Sequence, residues 1–582
     1  MSKQLITVAL LAAIFPMALS FTNAQSSQKK TEQKKTEQKS AQQKETENVD
    51  DETQIQKSVL LGDLTALESD AVNLNPPLAR AVVKTEIADV AWNLDKQWAK
   101  QLLKDALELA LPEKETRRKY QKVKKGDNPV EPTKEMIPWM FVRGKVLAVA
   151  RRDPAFADEL AKISKEEMGA YEEVMAYSSS AHAAFQADDK KQAMEYARKI
   201  FDADPSQINS GYAIAAIASL DRGEADKLIL DYIQKLRSFP INSSNAARIF
   251  HGLQIAVFPT YLSRFREYQG RKFPVAGEEA MRAYFGFLIE TLLDLESREP
   301  GAAMKLSASI SPQIWPFVSQ QAPELVDSYL KLEAVSGIAA ENGSRQTSSL
   351  EERNKARYET MVNDARTNNS QNKIVEAIGW ALGRDDYETC RELIDKLPAG
   401  DLRSKYSEEV NRSEAISLLG KEDFDGAARL ASKLDSLGSL AQVYPQMIKY
   451  CVDKKDQDCV NSLASELTRK LEKKSDSSKA ALILSRVAAT VAVKDEAIGM
   501  NLLRQAISSA NASDVKRTGE NAYMVEFDNK AFELLALNHE GRVFQMAKSL
   551  DDRLYRYLAL TAIYRGKASA HLKKPTKTRE SN

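Results

Sequence analysis

Apolar residues along this chain recur three and four positions apart over long stretches, with charged residues between them. That spacing gathers the apolar side chains on one face of an α-helix. Ile87, Val90, Ala91 and Leu94 make one such face. Ala99, Leu102, Leu103, Ala106, Leu107 and Leu109 to Leu111 make a second, with Asn93 to Lys96 as the turn between them. Ala, Leu, Glu, Lys and Arg are abundant and Gly and Pro sparse, which favours helix throughout, and strand-type alternation is confined to a few short runs. The fold class expected is all-α.

The helical hairpins resemble one another. A turn acid followed four positions later by a small residue recurs as Asp95 with Ala99, Asp189 with Ala193, Asp386 with Cys390, Asp423 with Ala427 and Asp495 with Gly499; Asp456 with Val460 is a weaker copy. An Asp at a helix start accepts a free backbone N–H and faces the positive helix end, while the small residue lets the preceding helix come close. The copies at Asp386, Asp423, Asp456 and Asp495 lie 37, 33 and 39 residues apart, the length of a two-helix unit with its turns. Such a period predicts an α-solenoid of stacked hairpins, a single elongated body.

The segment from Ala193 to Pro205, AMEYARKIFDADP, resembles the second helix and closing Asp-Pro of a tetratricopeptide repeat. The Trp, Leu-Gly and Tyr signature of that family's first helix is missing, although Leu382–Gly383 and Leu419–Gly420 end first helices here. The resemblance implies a diverged, tetratricopeptide-like array of paired helices.

Around this array the chain changes character. Lys3, the apolar run from Leu5 to Leu19, and the small residues Thr22 and Ala24 read as a secretory signal peptide, 1–24, cleaved before Gln25. Its apolar core, interrupted by Pro16, is shorter than the ~20 residues of a membrane span, and an uncleaved anchor is the rival reading. No cysteine follows the cleavage region to carry a lipid. Residues 25–57, with KKTEQKKTEQK, have hardly any apolar side chain and are expected as a disordered charged tether. Residues 58–336 are expected as an irregular α-helical hairpin domain, rich in Pro and aromatic residues from Phe258 to Pro323. Residues 337–372 read as a polar linker, 373–568 as the regular repeat array and 569–582 as a disordered tail. No later run is apolar enough to span a membrane, so the mature chain is expected without one.

Charge narrows the partners. Lys and Arg number 83 against 82 Asp and Glu, so the net field favours neither nucleic acid nor anionic lipid. The most basic run, Arg117, Arg118, Lys119, Lys122, Lys124 and Lys125, is broken by Glu113, Glu115 and Asp127 and reads as a solvated insertion. Three cysteines cannot build a disulfide scaffold. Cys451 and Cys459 flank VDKKDQD and would meet if that string joins two antiparallel helices; small buried residues are the other reading, and Cys390 would stay free.

Chemistry is sparse. His182, His251, His539 and His571 stand singly, without metal-ligand spacing, and HEGR at His539 reads as a turn. KEDFDGAA, Lys421 to Ala428, resembles the opening of a calcium loop but lacks the later oxygen ligands. No phosphate-binding loop, dinucleotide fingerprint or serine-nucleophile elbow occurs. Trp139 is expected in the core. No cofactor, metal or catalytic residue is expected. The expected function is non-catalytic: a secreted or periplasmic bacterial scaffold binding protein or peptide partners in the cell envelope. The alternative is an α-helical envelope enzyme acting on glycan or peptide through paired carboxylates.

Overall fold

The computed structural model describes residues 54–122, 133–259, 273–307, 310, 314–336, 350–368, 370–474, 476–513 and 526–572. Among them there are helices and no strands. The described residues from Asp63 to Ala570 form one compact unit.

The hairpin Pro77–Ala91 with Lys96–Ala110 shows how the sequence makes each module. Pro77 opens the first helix, where its missing N–H costs nothing. Asp95 caps the second by accepting the N–H of Trp98 at 2.9 Å. Ala99, Leu102, Leu103, Ala106, Leu107 and Ala110 then form a buried stripe against the first helix. Burying each of its leucines stabilises the module by roughly 2 kcal/mol. Leu111 leaves helical geometry ahead of Pro112, which restricts the residue before it.

Further hairpins follow: Met136–Ala150 with Pro154–Met168, Ala170–Gln186 with Lys190–Ala203, and Asn209–Ala218 with Arg222–Arg237. After helices at Ser243–Val257 and Glu278–Arg298, the series resumes with Gln371–Leu382 and Tyr387–Asp395, Asp401–Gly420 and Phe424–Ala431, Leu437–Lys454 and Gln457–Leu471, and Ser477–Ala492 and Glu496–Asn511. Helices Lys530–Lys548 and Arg553–Leu572 come last. The protein is thus an all-α repeat of stacked helical hairpins.

Helices also run into segments that the sequence reads as linker, tether and tail. Leu350–Thr367 is a helix inside the expected linker 337–372, and its Ala365 is buried with Ile374, Ala377 and Ile378 in one apolar cluster. The helix over residues 54–71 takes in the last four residues of the expected tether, and the helix ending at Leu572 takes in the first four of the expected tail; the remainder of both segments, like the signal peptide, lies outside the described residues.

The first and last modules of the compact unit are in contact. Arg565 pairs with Glu86 at 2.6 Å and Asp89 at 3.0 Å. Tyr557 donates its hydroxyl to Asp70 at 2.6 Å. Lys145 and Arg152 reach the same two acids, Glu86 and Asp89, from the second hairpin. Burial opposes ionisation of Glu86, but the Lys145 and Arg565 charges outweigh it and bring its pKa down to about 2. The last helix is therefore fastened to the first hairpin.

Candidate binding groove

The repeat-turn residues set the frame. Asp189, Asp386, Asp423, Asp456 and Asp495 cap their helices as Asp95 does, each accepting the N–H three residues on at 2.9 to 3.1 Å. The small residues four positions on are all buried: Ala99, Ala193, Cys390, Ala427 and Gly499. At Gly499 a Cβ would stand 2.8 Å from the Ala492 Cα, so the two helices meet there backbone to backbone. Asp188, Asp385, Glu422 and Lys455, each directly before a cap, are left-handed, with φ of 56° to 61°. Two more units carry the same device and were missed in the sequence: Asp153 with Ala157 and Asp221 with Ala225.

These caps align the second helices of successive hairpins side by side, and cations close four of the joints. Lys96 and Lys100 reach Asp153 at 3.0 and 2.7 Å, and Lys104 reaches Glu159 at 2.6 Å. Lys199 reaches Asp158 at 2.7 Å. Lys190 pairs with Asp221 at 2.8 Å, and Lys235 with Asp202 at 3.0 Å. Lys470 donates to the carbonyls of Ser432 and Leu434, both at 2.9 Å. The lysine hydrogen bonds hold Asp153 well below the usual carboxylate range and lower Asp221 as well.

The joint between Gln457–Leu471 and Glu496–Asn511 is different. No ion pair crosses it among the described residues. Gln457 donates its amide to Asp495 at 2.6 Å, and Thr468 donates to the Gln505 amide oxygen at 2.8 Å. Between and beyond these bridges runs a groove of about 470 Å³, with Ala464, Ile498 and Leu502 in its floor and Asn461, Ser465, Asn501, Arg469 and Glu472 along its walls. Asn461, Ser465 and Asn501 are exposed.

A second cleft, of about 550 Å³, is lined by Lys165, Tyr171, Glu173, Tyr177, Lys199, Asp202, Asp204 and Gln207. Its acids are occupied. Glu173 pairs with Lys165 at 2.8 Å and Asp202 with Lys235. Asp204 accepts from the Ser206 N–H, the Ser206 hydroxyl and the Gln207 amide at 3.0, 2.7 and 2.8 Å. Lys199 lies over the rings of Tyr177 and Tyr196, 5.9 and 5.1 Å from their centroids. A glycosidase needs one carboxyl held protonated. Among the described residues, the carboxylates that shift all move down, as Glu86, Asp386, Glu408 and Glu496 illustrate.

The remaining sequence candidates sit as follows. Trp139 is fully buried, and its indole N–H donates to Glu172 at 2.9 Å; Glu172 also pairs with Arg143, both side chains being 2% exposed. His182 and His251 have their pKa lowered by burial. His539, expected in a turn, is instead a kink inside helix Lys530–Lys548, with its ring 2.7 Å from Glu496. His571 lies near the end of the last helix, and no group of three potential metal ligands forms among the described residues. Cys451 and Cys459 are joined by a disulfide across the hairpin turn, with Cα atoms 5.8 Å apart. Cys390 is free and buried, and desolvation pushes its thiol up to about 12, which makes it inert. Of the basic run, Arg117 pairs with Glu167, and residues 123–132 lie outside the described residues. No described helix is long and apolar enough to cross a membrane. The Asp-Pro that closes AMEYARKIFDADP takes a hydrogen bond from Tyr232 to the Pro205 carbonyl at 2.7 Å.

No family model matches the chain. No curated protein matches it either. Among solved structures, one similar chain is described as a circular tandem repeat protein with novel repeat topology and enhanced subunit contact surfaces. It is 12% identical, with 88% of this chain and 97% of that one covered, and a TM-score of 0.16. That likeness is too slight to carry an argument, and the helical-repeat fold rests on the packing described above.

Proposed function

We propose that the protein is an exported, non-catalytic helical-repeat scaffold that binds a protein or peptide partner in the cell envelope, and that its repeats are diverged tetratricopeptide-like units. One observation carries this reading: the groove between Gln457–Leu471 and Glu496–Asn511 exposes hydrogen-bonding side chains on two neighbouring helices, where four other joints of the array use theirs internally. Stacked repeats favour extended binding surfaces of this kind. The signal-like N-terminus supports export, and a mature chain beginning at Gln25 outside the cytoplasm is the expected product.

Site-specific photocrosslinking in the exporting cell tests the reading. A crosslinker at Asn501 is expected to trap a defined partner reproducibly, while one at Asp231, on a cation-closed joint, traps none. Equal or absent trapping at both positions contradicts it. A second reading, the envelope enzyme, is favoured by the three acids and two tyrosines of the 550 Å³ cleft. Release of reducing ends from cell-wall glycan, abolished by Glu173→Gln with Asp202→Asn, would select that reading instead.

A further inference from the structure

We infer that the groove between Gln457–Leu471 and Glu496–Asn511 takes an extended, uncharged stretch of polypeptide and grips it by its main chain. This rests on the partner-binding reading above and narrows it to one ligand geometry. Asn461 and Ser465 stand four residues apart on one wall, and Asn501 and Gln505 four apart on the other. Four residues of helix rise about 6 Å. Two residues of an extended chain advance about 6.7 Å, after which the same edge again presents an N–H and a C=O. The wall groups therefore keep step with alternate peptide units over about one turn of each helix.

The chemistry of the walls selects the same ligand. On one wall the Asn501 oxygen accepts from Arg504 at 3.4 Å and the Gln505 oxygen from Thr468, so their NH2 groups face the carbonyls of a peptide, while the Asn461 amide opposite can both donate and accept. A phosphate or carboxylate would meet acceptors as well as donors. A helical partner has its backbone groups already bonded and needs an apolar stripe, which these polar walls lack. From Asn461 to Glu472 the groove covers eleven residues of helix, about 16 Å, or about five residues of extended chain. Ala464 and Ala497 are short, so the space between the walls admits small or medium side chains. Arg469 and Glu472, of opposite charge at one end, leave the lining neutral, and binding is expected to change little with salt.

The test uses the full-length protein and a library of N-acetylated, C-amidated pentapeptides, with binding read by fluorescence anisotropy. The tightest peptides are expected to weaken about 5- to 10-fold with Asn461→Ala and again with Asn501→Ala, the loss of one hydrogen bond apiece. Melting temperature should hold within about 2 °C, because both side chains are exposed. N-methylation of alternate residues of the peptide should cost about tenfold or more. A library without binders, binding indifferent to both Asn variants, or binding indifferent to N-methylation overturns the inference. A helix-stapled peptide that outcompetes the extended one overturns it too. If crosslinking at Asn501 still traps a partner after such a result, the partner-binding reading stands and only the extended-strand geometry falls.

Discussion

Two joints of the same array are built from the same parts and end differently. Between Lys190–Ala203 and Arg222–Arg237, Lys190 meets Asp221 and Lys235 meets Asp202. Between Gln457–Leu471 and Glu496–Asn511, the corresponding bridges are an amide on Asp495 and a hydroxyl on Gln505, with Asn461 and Asn501 exposed and Asn501 bonded only to Arg504 of its own helix, at 3.4 Å. Both joints are capped by an Asp and packed on a small residue, so the difference is one of surface chemistry and not of fold. Exposed ion pairs add only about 0–1 kcal/mol each. Their effect is to occupy side chains that a partner would otherwise meet, and the amide joint keeps its side chains available.

The N-terminal region carries this internal use of charge further, into the core. Removing one member of the Arg143–Glu172 pair leaves the other buried and unpaired, so Arg143→Ala should lower unfolding free energy by about 3–5 kcal/mol in urea titrations, the largest effect foreseen. No exposed side chain of the amide groove should approach that value. If it does, the groove belongs to the stabilising framework and the contrast fails.

A smaller effect sharpens the comparison from the other side. Replacing Asn461 and Asn501 by Lys and Glu converts the open joint into a cation-closed one, and peptide binding should drop about tenfold while stability moves by less than about 0.5 kcal/mol. Unchanged binding would show that the exposed amides are incidental. Removing a cap should cost about 1 kcal/mol at either joint, whether by Asp221→Ala or Asp495→Ala, because both do the same work. A markedly unequal cost would mean the joints differ in fold after all.

The junction of the last helix with the first hairpin is expected to respond to acid. Glu86 has a folded pKa near 2 against an ordinary 4.5, so its carboxylate contributes stability that is fully present above about 4.5 and is lost as pH falls toward 2. Arg565→Ala should remove much of that dependence, seen as a flatter urea midpoint against pH over this window. One substitution should instead stabilise. Lys455 is left-handed beside the cap Asp456, and Lys455→Gly should relieve about 1 kcal/mol of backbone strain.

How much of this was legible in the sequence depends on how local the cause is. Hairpins and caps are local, and the Asp with its small partner four residues on was readable at Asp95, Asp189 and Asp386. Asp153 and Asp221 carry the same local signal, a buried alanine four residues on at Ala157 and Ala225, and Pro154 at the first helical position adds to it. The helix Leu350–Thr367 was hidden by its composition: Val362 and Ala365 are buried, but acids, Arg and Asn dominate its other positions. The fastening of Arg565 to Glu86 joins residues 479 positions apart, and neither differs in type from dozens of exposed charges. Asn461 and Asn501 carried no signal at all. An exposed amide gains meaning only when a neighbouring joint shows what it could have been bonded to.

Hydrogen–deuterium exchange of the two joints, with and without a bound capped pentapeptide, tests the central claim most directly. Slowed exchange confined to residues 457–471 and 496–511, with residues 190–203 and 222–237 unchanged, is the expected result. Protection at the cation-closed joint, or none at the amide-lined one, would contradict the account.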